Sequence, residues 1–453
     1  MRPRVLTAPL GRWVDPEQAY RAVVGDAPDA FWLDSGPGAT AGMSWLGTGT
    51  PVPLDDDAAV LPALRAELGG VDTVDAPPGF ALGLVGWLGY ELHAETMGTV
   101  TGRLPAQPGA AWLRVDRALA FDHTAREVTL LALGQEWTGE LLEWRKAVTA
   151  ALGVPAPEPA EGPDPARPLP STSSGSGVSA TWAYTDEQYL DMIARCQQHI
   201  RNGDAYQLCL TTQVRVEARP DPVATYRLLR AASPTHHGAL LRISGTALLS
   251  SSPERFLEVT PDGVVRTSPI KGTRRRDPEP VADAALAAEL LASEKERAEN
   301  LMIVDLMRND FSRVCELGSV EVSSLLQVES YAQVHQLVST VRGRLAAGLD
   351  GIDAIAACFP AGSMTGAPKR SAVELLDAIE QRPRGIYSGV FGYLGFDGAV
   401  DLGMVIRSIV IDASGCTIGT GGGITALSVP EEELEETRVK ARALLSVLGA
   451  VAG

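Results

Sequence analysis

The sequence predicts an α+β fold. Candidate strands occur in runs interrupted by helices, without the regular strand–helix alternation of a doubly wound sheet. The chain has 453 residues and is 45% hydrophobic, enough for a large core and more than one substructure. Residues 151–181 are rich in Pro, Gly, Ser and Ala and hold few large apolar residues. This stretch is typical of a linker, and it divides the chain into residues 1–150 and 182–453.

The first part is predicted to contain three strands, one helix and a segment of glycines and aromatic residues. The glycines of that segment indicate close backbone packing or bulges. The strands are expected at Ala30–Ser35, Ser44–Leu46 and Glu127–Leu133, the helix at Thr138–Leu152 and the segment at Phe80–Leu92.

The second part opens with a helix whose capping box is formed by Thr185 and Gln188 and which ends at Asn202-Gly203. Further helices are expected at Pro222–Ala232, Ala284–Leu291, Ser293–Met307, Ile352–Cys358, Pro368–Gln381 and Glu431–Leu448. Strands are expected at Ala205–Val216, Ala239–Ser252, Val320–Val328, Gln336–Gly343, Tyr387–Phe396, Val400–Asp412 and Cys416–Gly423.

Charge and cysteine usage narrow the class of function. A net charge of −17 argues against a nucleic-acid groove and against binding to anionic membranes. The five cysteines form no CxxC pair, which is typical of reduced thiols. We find no apolar run of 18 residues and no leader-like N-terminus, so we expect a cytoplasmic protein.

The stretch Ser252–Arg276 predicts a hairpin with a two-residue loop at Asp262-Gly263. That register places Glu254 opposite Lys271, beside Pro253 and Pro269, which cannot donate to a ladder. One interpretation is an exposed ion pair of little energetic weight. The other is a site, because Lys271 lies between an apolar residue and a Gly-Thr turn, as a nucleophile or base would.

Two pairs of glutamates, Glu296 with Glu299 and Glu433 with Glu436, are each spaced to share one helix face. Together they could form an all-oxygen site for a hard cation such as Mg²⁺. The alternative is ordinary capping, since Ser293 precedes Glu296 and Ser428 precedes Glu431 at capping-box spacing.

Two glycine-rich loops and two isolated polar residues complete the candidates. Phe359–Lys369 and Gly421–Gly423 could offer backbone N–H groups to an anion, or could be simple turns. His335, on an apolar strand, is by default a satisfied core residue. Arg407, inside the apolar run MVIRSIVI, would need an anion if it is buried, and a substrate carboxylate would serve.

Taken together, these residues resemble the chorismate-utilising enzymes, which include anthranilate, aminodeoxychorismate, isochorismate and salicylate synthases. The resemblance covers nearly the whole chain. It rests on FWLDS, GLVGWLGYEL, SPERF, PIKGT, AENLMIVDLMRND, FPAGSMTGAPK, YSGVFGYLG, the IRS around Arg407, GGGI and EETRVK.

The resemblance implies two large antiparallel sheets packed as a sandwich, with helices on the outside and the two parts of the chain interlocked. It implies Mg²⁺ held through the four glutamates against the ring carboxylate of chorismate, with Glu254 as general acid at the C4 hydroxyl. The implied substrate contacts are Gly272, Thr273, His335, Ser363, Thr365, Tyr387, Arg407, Gly421, Gly423 and Lys440.

Two positions suggest the branch of the family. Members that add water to chorismate use a lysine base where this chain has Gln207, which cannot act as a base. Anthranilate synthases read like PIAGT where this chain has PIKGT, which resembles the branch that aminates chorismate at C4 through the nucleophile Lys271. Anthranilate synthesis, 2-amino-2-deoxyisochorismate synthesis and a non-catalytic scaffold are the alternatives.

No cysteine lies in a glycine-framed elbow such as a glutaminase needs. We therefore expect ammonia from a separate glutamine amidotransferase.

Overall fold

The structure is a computed structural model that describes residues 2–54, 59–74, 77–100, 103–153, 178–331 and 334–452. Most of the expected linker, residues 154–177, lies outside the described residues. The first residues of the predicted linker, 151–153, end the helix Gly139–Gly153. Its last residues, 178–181, belong to the strand Val178–Trp182.

Twenty-three strands are described. In chain order they are β1 Arg4–Pro9, β2 Ala30–Asp34, β3 Met43–Thr48, β4 Thr50–Pro51, β5 Gly83–Leu88, β6 Ala110–Val115, β7 Arg117–Asp122, β8 Glu127–Gly134, β9 Val178–Trp182, β10 Gln207–Val216, β11 His237–Ile243, β12 Thr246–Ser252, β13 Arg255–Val259, β14 Val264–Thr267, β15 Ile270–Arg275, β16 Glu321–Ser330, β17 Val334–Arg344, β18 Gly366–Ala367, β19 Val390–Gly395, β20 Val400–Met404, β21 Ser408–Asp412, β22 Gly415–Ile424 and β23 Ala450–Ala452.

The α-helices of the described ranges are α1 Pro16–Ala19, α2 Val60–Glu67, α3 His93–Met97, α4 Gly139–Gly153, α5 Asp186–Asn202, α6 Pro222–Ala232, α7 Pro280–Ala292, α8 Glu294–Ser312, α9 Gly351–Cys358, α10 Lys369–Glu380 and α11 Pro430–Val447. The predicted capping box of Thr185 and Gln188 is present at the start of α5, and Gly203 ends that helix in the left-handed conformation. Over the parts of the chain that the structure describes, no helix has both the length and the apolar character needed to cross a membrane.

The strands form two large sheets. The thirteen-stranded sheet has the order β1-β8-β7-β3-β2-β11-β12-β21-β22-β10-β9-β23, with β18 paired to β10. The ten-stranded sheet has the order β15-β17-β14-β13-β20-β19-β5-β6-β4, with β16 paired to β17. Among the described strands every pair is antiparallel except β9 with β23. Both sheets mix strands from before and after the expected linker, since β2 pairs with β11 and β5 pairs with β19.

The two sheets pack face to face, which confirms the sandwich implied by the resemblance. Phe31 and Leu241 of the larger sheet share one core with Trp87 and Phe391 of the smaller sheet. Alternate residues of the same strands point outward. Leu240 therefore faces a core shared with α6 and α11, while residues of β5 and β19 pack outward against a core shared with α8 and α9.

The hairpin at Asp262-Gly263 exists, but the predicted register is wrong by one residue. Glu258 pairs with Arg266, and a three-residue loop closes through the bond from the Thr260 N–H to the Val264 carbonyl. Gly263 takes the positive φ that such a loop requires, whereas the prediction assumed a two-residue loop. The second arm then leaves the hairpin, because β15 pairs with β17 and not with β13. Glu254 and Lys271 are therefore not cross-strand neighbours.

Two expected single strands are each divided. Ala239–Ser252 is a hairpin, β11 and β12, which turns at Ser244-Gly245. Val400–Asp412 is two strands that belong to different sheets, β20 and β21. An alternating apolar run fits both strands equally well, so the pattern could not show where the chain changes sheet. The chain makes the opposite change between β12 and β13, at Pro253-Glu254.

Candidate functional site

A cavity of about 840 Å³ lies where the chain passes between the sheets, and strand β15, strand β22 and helices α8 and α11 help to wall it. All of the sequence-predicted site residues except His335 and Thr365 line it. The predicted residues that line the cavity are Glu254, Lys271, Gly272, Thr273, Glu296, Glu299, Ser363, Tyr387, Arg407, Gly421, Gly423, Glu433, Glu436 and Lys440.

Glu254 lies at the corner between β12 and β13 and is buried. Its burial raises the pKa of the carboxyl group, while the charge of Lys271 and a hydrogen bond from Ser363 act to lower that pKa. The net direction is upward, so the acid form persists to higher pH than in a solvated glutamate. The geometry thus provides a buried carboxyl group that can hold a proton beside a cation.

Lys271 reaches the same cavity from the start of β15. Within the described residues its ammonium forms no hydrogen bond and no ion pair, although it acts electrostatically on Glu254 and Glu299. A lysine on a cavity wall without a bonded partner is available to a ligand or a reacting carbon. Of the arginines that follow it, Arg274 lines the cavity while Arg276 is tied to Asp283, Nη2 to Oδ2, at 2.7 Å.

Arg407 departs from its expected setting. It lies at the corner between β20 and β21 with a left-handed φ of 51° and is exposed to the cavity, not buried on a strand. Surrounding atoms desolvate it and lower its pKa, an effect that Tyr387 and Glu436 oppose. In the part of the chain that the structure describes, the guanidinium has no hydrogen bond or ion pair. Its donors are therefore free to meet an anion.

Three glycines allow side chains to approach the cavity backbone closely. A Cβ on Gly272 would lie 2.9 Å from Cδ of Glu296, and one on Gly422 would lie 3.1 Å from Oε2 of Glu433. A Cβ on Gly419 would overlap the ring of Tyr387. Gly419 was not among the predicted site residues, and Gly422 was predicted only as part of the Gly421–Gly423 loop. The only signal for them was their place in the glycine-rich run that ends at Gly423.

The two glutamate pairs face each other from separate walls, one pair on α8 and the other on α11. Each wall already supplies cations. Arg274 Nη1 lies 3.6 Å from Glu296 Oε1, Lys295 Nζ lies 3.6 Å from Glu433 Oε1, and Lys440 Nζ lies 2.6 Å from Glu436 Oε1.

Of the two predicted serine caps, the one at Ser293 is present and the one at Ser428 is absent. Ser293 Oγ accepts from the Glu296 N–H at 3.4 Å, so it caps α8 while the Glu296 side chain turns into the cavity. The predicted Ser428–Glu431 box is wrong, because α11 starts from Val429 without a side-chain cap. Ser428 Oγ instead donates to Glu433 Oε1 at 2.7 Å. A bond to a side chain five residues further along replaced the capping box that the spacing favoured.

The donor set suits a hard cation. Four carboxylates offer only oxygen ligands, and Mg²⁺ in proteins takes one or two carboxylates together with water and substrate oxygens. Among the described residues no three His, Cys, Asp or Glu side chains are arranged to hold a metal ion. The four glutamates therefore fit Mg²⁺ by their chemistry and line one cavity, but the two pairs stand on separate walls of it.

His335 and Thr365 lie outside the cavity wall. His335 is buried on β17, with Nε2 2.9 Å from Asp283 Oδ1 and Nδ1 2.8 Å from Ser330 Oγ. Thr365 Oγ1 donates to the Ala361 carbonyl at 3.1 Å. Both side chains are engaged by the protein, and their contact with substrate stays a prediction.

Gln207 is likewise buried, outside the cavity lining and beside Gly423, and its Oε1 has no hydrogen-bond partner within the described residues.

Arg384 was missed by the sequence patterns. It is buried behind the cavity and donates to the Met364 carbonyl at 2.7 Å and to the Cys209 carbonyl at 2.9 Å. Met364 and Cys209 line the cavity, so this guanidinium ties two of its walls together. Its charge is balanced by Glu380, whose Oε1 lies 2.6 Å from Nη2. An arginine between a proline and a glycine in QRPRG carries no local signal of such a role.

A model of the chorismate binding enzyme family matches residues 29–446. The chain belongs to this family. An aminodeoxychorismate synthase from Streptomyces pristinaespiralis is 41% identical over 96% of this chain, and the chain spans 64% of the length of that relative. Component 1 of anthranilate synthase from Streptomyces coelicolor is 38% identical over 96% of this chain and 86% of its own.

Among solved structures, anthranilate synthase component I from Streptococcus pneumoniae superposes with a TM-score of 0.73 at 25% identity, over 98% of this chain and 92% of that one. The matched family is described as chorismate binding enzymes, and most of the predicted site residues line this cavity. The family assignment supports an enzyme over a non-catalytic scaffold, since Glu254, Lys271 and the four glutamates are all present and face one space.

Proposed function

We propose that the chain aminates chorismate at C4, as the chorismate-binding component of aminodeoxychorismate synthesis. The observation that carries this proposal is Lys271, which has no hydrogen bond or ion pair in the described part of the chain and shares a cavity with the buried acid Glu254. The similarity to an aminodeoxychorismate synthase supports the same reaction. Because the chain spans only 64% of that relative, we propose, and do not transfer as a finding, that this chain has its activity.

In the proposed reaction the free amine of Lys271 bonds to C2 of chorismate. The ring double bonds shift, and the C4 hydroxyl takes a proton from Glu254 and leaves as water. Ammonia then bonds to C4, the double bonds shift back, and the bond between C2 and Lys271 breaks. The new C4 ammonium returns a proton to Glu254. The enolpyruvyl group stays on the ring, and the product is 4-amino-4-deoxychorismate.

The chain supports both demands of this reaction. A nucleophilic lysine needs a nitrogen that can reach the substrate, and among the described residues the Lys271 amine is held by no hydrogen bond or ion pair. A general acid must carry a proton, and burial favours the protonated form of Glu254 by raising its pKa.

Substrate recognition is assigned to the remaining cavity groups. Arg407 would bind a substrate carboxylate in bidentate fashion, beside the phenol of Tyr387. The backbones of Gly272, Thr273, Gly421 and Gly423 and the side chains of Ser363 and Lys440 complete the proposed contacts. Bound Mg²⁺, held through the four glutamates, would supply positive charge against the ring carboxylate.

We infer that ammonia comes from a separate glutamine amidotransferase. All five cysteines are free and buried, and burial raises the pKa of each thiol. A glutaminase nucleophile needs the opposite shift. We expect 4-aminobenzoate, for folate or for a secondary metabolite, to require a further lyase.

Product identity tests the proposal. The purified chain is incubated with chorismate, Mg²⁺ and excess ammonium at alkaline pH, and the products are followed by mass spectrometry. We expect chorismate with one hydroxyl replaced by an amine, which an added lyase converts to 4-aminobenzoate. Release of pyruvate with fluorescent anthranilate would contradict amination at C4 and would favour the anthranilate synthase relative as the guide to this chain.

A further inference from the structure

The four glutamates have a close cationic neighbour, Lys295, which none of the sequence patterns singled out. Lys295 directly precedes Glu296 on α8, and its Nζ lies 3.6 Å from Oε1 of Glu433 on α11. The ion pair therefore crosses from one glutamate wall to the other. An ammonium group stands between carboxylates that are otherwise kept apart.

Glu433 depends on this contact. Its side chain is only 5% exposed, against 51% for Lys295. The other bond to its Oε1 is the neutral Ser428 hydroxyl at 2.7 Å. Within the described residues Lys295 forms the ion pair of Glu433, and a buried carboxylate without a countercharge is costly.

The remaining glutamates also act on Lys295. The charges of Glu433, Glu299, Glu436 and Glu296 all attract its ammonium group. Two of the other cations that line the cavity are already bonded to other glutamates. Lys440 is bonded to Glu436 on the same helix, and Arg274 is bonded in bidentate fashion to Glu289.

A divalent cation would compete with this ammonium. Mg²⁺ binds carboxylate oxygens at about 2.0–2.1 Å, and a cation that close to Glu433 Oε1 would strongly repel an ammonium paired with the same atom. Lys295 is half exposed and sits on a flexible four-carbon stem, so it can swing to solvent while Glu433 stays in place.

We propose that Lys295 is a displaceable counter-ion, which holds Glu433 while no divalent cation is bound and leaves it when the cation enters. The inference rests on the proposed role of the four glutamates in the amination of chorismate. On this inference Lys295 tunes the affinity of the glutamates for the cation. The two walls are then linked either by the ion pair of Lys295 with Glu433 or by the bound cation.

Titration calorimetry with MgCl₂ alone, without chorismate, tests this role. Lys295→Gln removes the charge and keeps much of the length of the side chain. Arg308→Gln is the matched control, since it removes an exposed cation from the same helix, where its ion pair within the described ranges is with Asp305. We expect Lys295→Gln to bind Mg²⁺ about tenfold more tightly than the wild type, the effect of an ion pair worth about 1.4 kcal/mol.

Two further readouts separate displacement from a structural role. Without Mg²⁺, Lys295→Gln should melt below the wild type, and Mg²⁺ should raise its melting temperature more than that of the wild type. The affinity difference should shrink in about 1 M salt, where the Debye length falls to about 3 Å. Arg308→Gln should match the wild type in all three measurements.

Equal or weaker Mg²⁺ binding by Lys295→Gln would overturn the inference. Wild-type protein that binds no Mg²⁺ would overturn it together with the metal part of the proposed function. Wild-type protein that binds Mg²⁺ but does not aminate chorismate would refute the proposed function alone, and the affinity comparison would still decide the role of Lys295.

Discussion

Two kinds of cationic side chain lie at the cavity walls, and they differ in how fully their hydrogen-bond donors are used. Behind the cavity, Arg384 is 2% exposed and gives its donors to Glu380 and to two backbone carbonyls, with Tyr90 stacked 4.2 Å from the guanidinium. Inside the cavity, Lys271 and Arg407 have no bonded partner among the described residues.

The difference indicates what each group is for. A fully paired ionic group cannot accept another ligand, so the Arg384 cluster fixes the positions of Cys209 and Met364. Unpaired cations in a walled space leave their donors for something else. An acidic protein that keeps two such cations beside buried carboxylates is arranged to receive an anion.

The paired group should govern stability. Arg384→Met would leave Glu380 buried without its countercharge, and breaking a buried pair in this way costs about 3–5 kcal/mol of unfolding free energy. Urea unfolding measures this loss. The exposed pair of Lys146 and Glu143 is the control, because Lys146→Met should cost less than about 1 kcal/mol. Equal losses would show that burial does not distinguish the two pairs.

The side chains inside the cavity should govern the rate of amination, and the largest effect is expected at the general acid Glu254. Glu254→Gln cannot donate a proton, and we expect kcat for amination to fall by about 10²–10³ with little change in stability. The wild-type rate requires protonated Glu254, so it should decline as pH rises through the raised pKa of this group. The variant should lack that decline. A decline at the same pH in the variant would assign it to another group.

Arg407 should affect binding more than turnover. Replacing its guanidinium by Met removes a charge-assisted contact of about 1.5–3 kcal/mol, so we expect the KM for chorismate to rise by at least about tenfold while kcat changes less. Steady-state kinetics at saturating Mg²⁺ and ammonium measures both constants. A variant with unchanged KM would remove Arg407 from substrate recognition.

The sequence could predict what depends on neighbours along the chain. The capping box of α5 and its glycine stop follow from local chemistry and are present. The predicted box at α11 fails because the helix starts from Val429, and Ser428 bonds to the side chain of Glu433, a pairing that the capping-box spacing does not describe. The face-to-face packing of the sheets came from resemblance, since strand periodicity does not say which strands share a sheet.

The candidate site shows the same limit. The hairpin prediction brought Glu254 and Lys271 together through a register that does not exist. They meet because the chain changes sheet at Glu254 and because β15 pairs with β17. Arg407 was conspicuous as a charge in an apolar run, but its corner position depends on which sheet each half of that run joins. Lys295 and Arg384 have roles defined by distant partners and gave no local signal.

The central claim is that Lys271 bonds to chorismate, and its adduct tests this most directly. The chain is mixed with chorismate and Mg²⁺ without ammonia, quenched, and analysed by intact-mass and peptide mass spectrometry beside Lys271→Ala. We predict a mass gain equal to chorismate minus water on the peptide that contains Lys271, absent from the variant. A chain that aminates chorismate without this adduct, with Lys271→Ala equally active, would contradict the claim.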